Sequence, residues 1–286
     1  MIKEFEKFIK AKASNSEATE KAYRFSIENF LNDLHLDTLE KIDNLTPMDY
    51  LDYQEFLLTK PLAKSSVNSH FRNISAFVCW LKQMRVIKNI PAITEIDKLK
   101  LPKTEIFTLT PDEVKSIIDH SKQLGKKLML VMLFQLGLRR SEIVNIEVTD
   151  IFDNKITVHG KGDKERTLDL SNDIIYLLDK YLKERKVDSK YLFYSIMDGG
   201  QLSPECVGLR VKGAAEKAGI SPDRLAEITA HTCRKTCATQ LLDDGVSLDV
   251  VQEVLGHASI TTTRSIYAKT SKKNIRTALI NQKSLL

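Results

Sequence analysis

Nowhere in the chain do about 18 apolar residues run together, so nothing in it reads as a membrane-spanning helix. The N-terminal stretch MIKEFEKFIK alternates charged with apolar residues and lacks the continuous apolar core of a signal peptide, which makes the cytoplasm the expected compartment. Cysteine is sparse: Cys79, Cys206, Cys233 and Cys237 are the four in 286 residues, too few for a disulfide framework, and reduced thiols are expected. Cys233 and Cys237 stand four apart between His231 and His257 but match no common zinc spacing, and such a pair on a helix reads as small core filler. Internal repeats, low-complexity tracts and carboxylate clusters suited to magnesium are missing as well. No metal and no other cofactor is expected.

What is present is the balance of a globular protein, 42% hydrophobic and 28% charged, in a length that favours two domains over one. The formal net charge of +5 leans towards a polyanionic partner without deciding for one.

Residues 1–90 read as helices only, a small bundle. One segment runs from about Ser16 to Leu34 with Ala22, Phe25, Ile27, Phe30, Leu31 and Leu34 on an apolar face. Another follows Thr46 and Pro47, and a third starts near Ser65 with Val67, Phe71, Ile74, Phe77, Val78 and Leu81 as its stripe. At this spacing the aromatic residues, Trp80 included, read as core rather than as platforms for bases. Lys64, His70, Arg72, Lys82 and Arg85 are candidate phosphate contacts, although a solvated helix face accounts for scattered charge equally well. Residues 91–106 lose periodicity, gain prolines and lysines, and read as an extended linker.

Residues 107–286 read as a mixed α/β domain, mostly helical. A helix opens at Thr110-Pro111. The apolar stretch Leu128 to Leu136 reads as a buried helix ended by Gly137, and Ser141 then caps a short one. Residues 155–170 alternate with period two on either side of Gly160-Lys161-Gly162-Asp163, a hairpin with a basic tip. Helices resume at Ile174, at Ser203 and at Thr229. His231 and Arg234 are three apart on the last of these, Gly245 and Ser247 separate it from the next, Gly256 closes that one, and His257 and Tyr267 follow.

Arg139, Lys161, His231, Arg234, His257 and Tyr267 form an inventory suited to phosphodiester transesterification. A pair of guanidiniums can hold the non-bridging oxygens as they gain charge, which suits Arg139 and Arg234. A tyrosine hydroxyl, with a pKa of about 10, needs help to attack, and His231 is the candidate base. His257 would donate a hydrogen bond to the phosphate, and a mobile ammonium at Lys161 could protonate the leaving 5′-oxygen. Taken singly each of these is an ordinary structural residue. Gly160-Lys161-Gly162 lacks the glycine spacing and the Ser or Thr of a P-loop.

The strings GLRRSE (137–142), GKGDKER (160–166), HTCR (231–234) and LGH (255–257), with Tyr267 after TTT, stand in an order that resembles the catalytic domain of the tyrosine recombinase (phage integrase) family. The resemblance covers about residues 105–286 by motif, and residues 1–90 only as a helical core DNA-binding domain. It implies a C-shaped clamp on double-stranded DNA with paired inverted half-sites, and a homo-tetramer exchanging strands through a Holliday junction by way of a 3′-phosphotyrosyl link. It also implies that Glu142 supports Arg139. Lys235 stands where many members have histidine, and His257 lies ten rather than nine residues before Tyr267, variations the family tolerates.

The function expected is therefore a site-specific recombinase acting in integration, excision or resolution. A relaxing topoisomerase of the same chemistry and a DNA-binding accessory or regulatory protein with the recombinase fold are the alternatives, and the complete six-residue set disfavours a mere binder. The chain begins almost at its first helical domain, from which simple core sites without arm sites are expected, as in dimer resolution or a compact mobile-element integrase. The tail KKNIRTALINQKSLL reads as an amphipathic helix, with Ile275, Leu279 and Ile280 on one side, that docks on a neighbouring protomer or on its own domain.

Overall fold

The computed structural model describes residues 3–13, 17–89, 92–102, 106–160 and 164–256. The chain divides into two compact units, Met1–Thr104 and Glu105–Leu286.

The first unit is built from α1 (Lys3–Ala13), α2 (Glu17–Asp33), α3 (Leu39–Asp43), α4 (Pro47–Thr59) and α5 (Lys64–Gln83). Thr46 and Asp49 start α4 with a reciprocal capping box, each side chain accepting the other's backbone N–H, and Pro47 sits where a missing N–H costs nothing. Phe77 of α5 meets Phe5 and Phe8 of α1 edge to face at 5.9 and 5.3 Å, and Trp80 packs edge-on to Phe8. Helix α1 agrees with an all-helical first unit but is not among the segments picked out from sequence: its Phe5, Phe8 and Ile9, at helical spacing, are buried, with charges between them.

The stretch expected to be extended linker also differs. A 3-10 turn at Ala92–Glu95 buries Ala92 and Ile93 against the first unit, and the amide of Asn68 both donates to the Leu99 carbonyl and accepts its N–H, each at 2.9 Å. Chain without side-chain periodicity is held here by a side-chain amide that satisfies both the N–H and the carbonyl of one residue.

The second unit contains α6 (Pro111–Asp119), α7 (Leu124–Leu136), α8 (Arg140–Asn145), a sheet of β1 (Ile151–Phe152), β2 (Lys155–His159) and β3 (Glu165–Asp169), then α9 (Asn172–Glu184), α10 (Pro204–Lys217), α11 (Pro222–Glu227), α12 (Ala230–Asp243) and α13 (Leu248–Leu255). Residues 128–134 of α7 are all buried, as a helix apolar on every side must be, with α6, α9 and α12 packed around it. Gly137 ends α7 at φ 58°, and a Cβ there would stand 2.4 Å from a methyl of Leu255, so glycine is required twice over. Strands β2 and β3 form the expected hairpin with Val158 opposite Arg166 and His159 opposite Glu165, while β1, two residues long, is too short to show a period. Gly160 N–H donates to the Lys164 carbonyl below the tip.

The start of α8 differs from expectation. Arg139, not Ser141, is the cap residue, and its backbone N–H donates 2.8 Å to the Glu142 carboxylate, which thereby sits in the first turn where the helix dipole favours an anion.

Candidate active site

Glu142 is 4% exposed and carries a carboxylate into the second unit's interior, which is tolerable only with cationic partners. It has three. Arg166 of β3 meets it as a fork, Nη1 to Oε1 at 3.1 Å and Nη2 to Oε2 at 2.9 Å. Arg139 adds Nη1 to Oε1 at 2.5 Å, and Arg234 of α12 approaches Oε2 to 3.9 Å. Burial opposes ionisation of Glu142, but the hydrogen bonds from Arg166 and Arg139 outweigh it and hold the carboxyl below its ordinary range.

The same three arginines converge on the end of α13. Its last turn leaves carbonyls without helical partners, and each of three successive ones receives a guanidinium: Val254 from Arg166 Nε at 2.8 Å, Leu255 from Arg234 Nη2 at 2.5 Å, and Gly256 from Arg139 Nη2 at 2.9 Å. Arg234 also donates to the Gly137 carbonyl at 2.7 Å, so one buried side chain closes the ends of both α7 and α13. Burial, reinforced by the charge of Arg139, brings the Arg234 pKa down to about 10, which leaves it protonated at neutral pH.

The exposures of the arginines differ. The Arg139 side chain is 38% exposed, whereas Arg166 is 10% and Arg234 3% exposed. Arg139 is therefore the cation of the three that faces solvent most. His231 sits at the surface in the first turn of α12, which Thr229 caps; desolvation where it packs, and then the charges of Lys235, Arg234 and Arg139, lower its pKa and favour the neutral imidazole. Cys233 and Cys237 fill the core beside Arg234, their thiols pushed up by burial.

Of the residues singled out from sequence, Arg139, Glu142 and Arg234 are brought together, and His231 lies on the helix of Arg234. Lys161, His257 and Tyr267 lie outside the described residues. Arg166 was missed, although it ends one of the motif strings; its partners, 24 and 88 residues away, become visible only once β3 is set against α13.

His70 requires correction. It is 7% exposed, its ring lies 5.3 Å from Phe25, and burial, then the nearby Lys60, lowers its pKa, so it presents no cation to a phosphate. The Lys82 ammonium is engaged by the Lys88 carbonyl. Lys64, Arg72 and Arg85 are exposed. Among the described residues no three His, Cys, Asp or Glu gather as a metal site would need, and no helix is long and apolar enough to cross a membrane.

Residues 108–274 match the phage integrase family, and the chain belongs to that family, the tyrosine recombinases. Tyrosine recombinase XerA of Pyrococcus horikoshii is 37% identical over 65% of this chain and 66% of its own length, just under two thirds of that protein. Tyrosine recombinase XerD of Rickettsia bellii is 29% identical over 98% of this chain and 97% of its own. The fold is that of the Tn1549 transposon integrase in complex with transposon right end DNA, with a TM-score of 0.78 over 96% of this chain and 98% of that one at 18% identity.

Proposed function

We propose that the protein is a cytoplasmic site-specific recombinase that cleaves and rejoins double-stranded DNA through a 3′-phosphotyrosyl link at Tyr267. The observation that carries this reading is the meeting of Arg139 and Arg234 on Glu142 and on the last carbonyls of α13, immediately before His257. One carboxylate among three guanidiniums leaves an excess of positive charge, which suits a phosphate whose non-bridging oxygens gain charge in the transition state.

In this reading Arg139 and Arg234 bind the scissile phosphate. The neutral imidazole favoured at His231 accepts the tyrosine proton, His257 donates to a non-bridging oxygen, and Lys161 protonates the leaving 5′-oxygen. Water or a second strand's 5′-hydroxyl would then contend for the phosphotyrosine, and attack by the hydroxyl rejoins DNA with new connectivity. Two such exchanges, in a tetramer on paired inverted half-sites, pass through a Holliday junction.

The first unit serves as the core DNA-binding domain, with Lys64, Arg72 and Arg85 as its candidate phosphate contacts. An open groove of about 890 Å³, lined by Val114, Ile118, Val131, Phe134 and Leu177 together with charged residues such as Lys115, Asp173 and Asp243, is the candidate receptor for the tail with its Ile275, Leu279 and Ile280, its own or a neighbour's. Truncation after Lys272 distinguishes these by whether cooperative assembly on DNA is lost while binding persists.

The deciding experiment uses a nicked suicide substrate, which traps the covalent complex. Tyr267→Phe should bind this DNA normally and form no adduct; an adduct from the substituted protein rules Tyr267 out as the nucleophile.

A further inference from the structure

Arg166 has no place in the chemistry just described, yet among the described residues its guanidinium is the one that donates to both oxygens of Glu142, and 10% of the side chain is exposed. Its Nε is simultaneously engaged by the Val254 carbonyl at 2.8 Å, so neither end of the guanidinium is available for other work. The guanidinium of Arg139, by contrast, touches the carboxylate through Nη1 alone and reaches Gly256 with Nη2, while its backbone N–H donates to Oε2.

We propose that Arg166 is a positioning residue that occupies and neutralises Glu142, and so sets the charge and orientation with which Arg139 and Arg234 meet the scissile phosphate. The inference rests on the reading of those two arginines as phosphate ligands. With Arg166 present, three guanidiniums and one carboxylate leave a net charge of +2. Without it the cluster falls to +1, the lone pairs that held the fork turn to Arg139, and the pair Arg139–Glu142 closes on itself in a partly desolvated setting where attraction is strong. A buried carboxylate that loses its forked partner leans on the cations that remain, and here those are the two arginines that meet the phosphate.

This account makes a prediction that a purely architectural role does not: removing the carboxylate as well should help. Arg166→Met combined with Glu142→Gln returns the cluster to +2. On the suicide substrate, with DNA affinity and thermal unfolding as controls, Arg166→Met should form adduct at least about tenfold more slowly than the wild type, and the double variant should recover at least about threefold of that loss. A double variant that recovers less, or an Arg166→Met protein that cleaves normally, overturns the inference.

Should Arg166→Met not fold, Arg166→Lys decides. It keeps the charge and gives up the fork, and it should stay within about fivefold of wild-type cleavage; a loss beyond about tenfold in a folded, DNA-binding protein overturns the assignment by charge. Failure of the underlying reading shows separately, as a wild-type protein that gives no Tyr267-dependent adduct, in which case both statements fall. A normal wild-type adduct with no recovery in the double variant sinks the inference alone.

Discussion

Gly256 and Arg166 are in such close approach that a Cβ on the glycine would stand 2.9 Å from Nη1 of the arginine. Gly256 also ends α13 at φ 62°, a left-handed conformation that a side chain disfavours. Gly256→Ala should therefore cost about 1–3 kcal/mol of stability and displace the guanidinium from Val254. Denaturant unfolding of the intact protein checks the first effect; slower adduct formation at unchanged DNA affinity checks the second. A variant as stable as the wild type would mean that the helix end is not held as described.

In the first unit, His70 and Arg72 should separate cleanly. His70→Leu replaces a buried ring whose Nδ1 has no hydrogen-bond partner among the described residues with an apolar side chain, so stability should hold or rise and DNA affinity should not change. Arg72→Ala and Lys64→Ala should each weaken binding and reduce the slope of log affinity against log salt by about one. Fluorescence anisotropy across a salt series reads both. A fall in affinity for His70→Leu without unfolding would return that histidine to the DNA contacts.

His159 and His231 of the second unit should give opposite pH responses. His159 lies between Asp150, 3.1 Å from Nε2, and Glu165, 2.9 Å from Nδ1, and the hydrogen bond with Asp150, then the charges of both carboxylates, raise its pKa. Its stabilisation is therefore complete below the unfolded value of about 6.5 and fades as pH rises through the folded one. His159→Gln should lower the Tm at pH 6 and leave it nearly unchanged above pH 8. At His231 the folded pKa is lowered, so protonation below about 6.5 destabilises the fold, and His231→Gln should reduce the loss of Tm on acidification. Equal shifts at both pH values for His159→Gln would show that the carboxylate pairing is not what holds it.

Asn68→Leu removes both bonds that hold Leu99, from a side chain that is only half-buried. Roughly 1–3 kcal/mol should be lost, confined to the first unit. Hydrogen exchange at the Leu99 amide should accelerate well beyond the change in global stability; protection equal to the wild type's would mean that this chain segment is held by its apolar contacts alone.

Features set by neighbours in sequence were legible in advance, and features set across the fold were not. Gly137, Gly245, Ser247 and Gly256 mark helix ends by local backbone chemistry, so the approximate places of Arg139 and Arg234 followed from the sequence. Position 70 lies between Val67 and Ile74 on the buried stripe of α5, a signal that outweighs histidine's capacity for charge and that was available in the spacing. Ser141 has the hydroxyl usual in a cap, but the helix starts two residues earlier, where Glu142 reaches back to accept the backbone N–H of Arg139. Arg166 could not be assigned from its own surroundings: alternation in β3 says that it and Leu168 share a face, and nothing local says that this face meets Glu142 and the end of α13. The stretch from Ala92 to Leu99 was hidden likewise, because its partners, the first unit's core and the Gln54 and Asn68 amides, lie on helices distant in sequence.

Three arginines hold the end of α13 by backbone oxygens, which every amino acid carries alike. The side chains of Val254 and Leu255 play no part in those bonds, so substitution there is restricted only by the room around them. The side chains at 254 and 255 can thus change, within that room, while the grip on the helix end is kept, whereas the arginines and Gly256 have little latitude. At Val254 and Leu255 the joint is addressed by position along the chain and not by residue type.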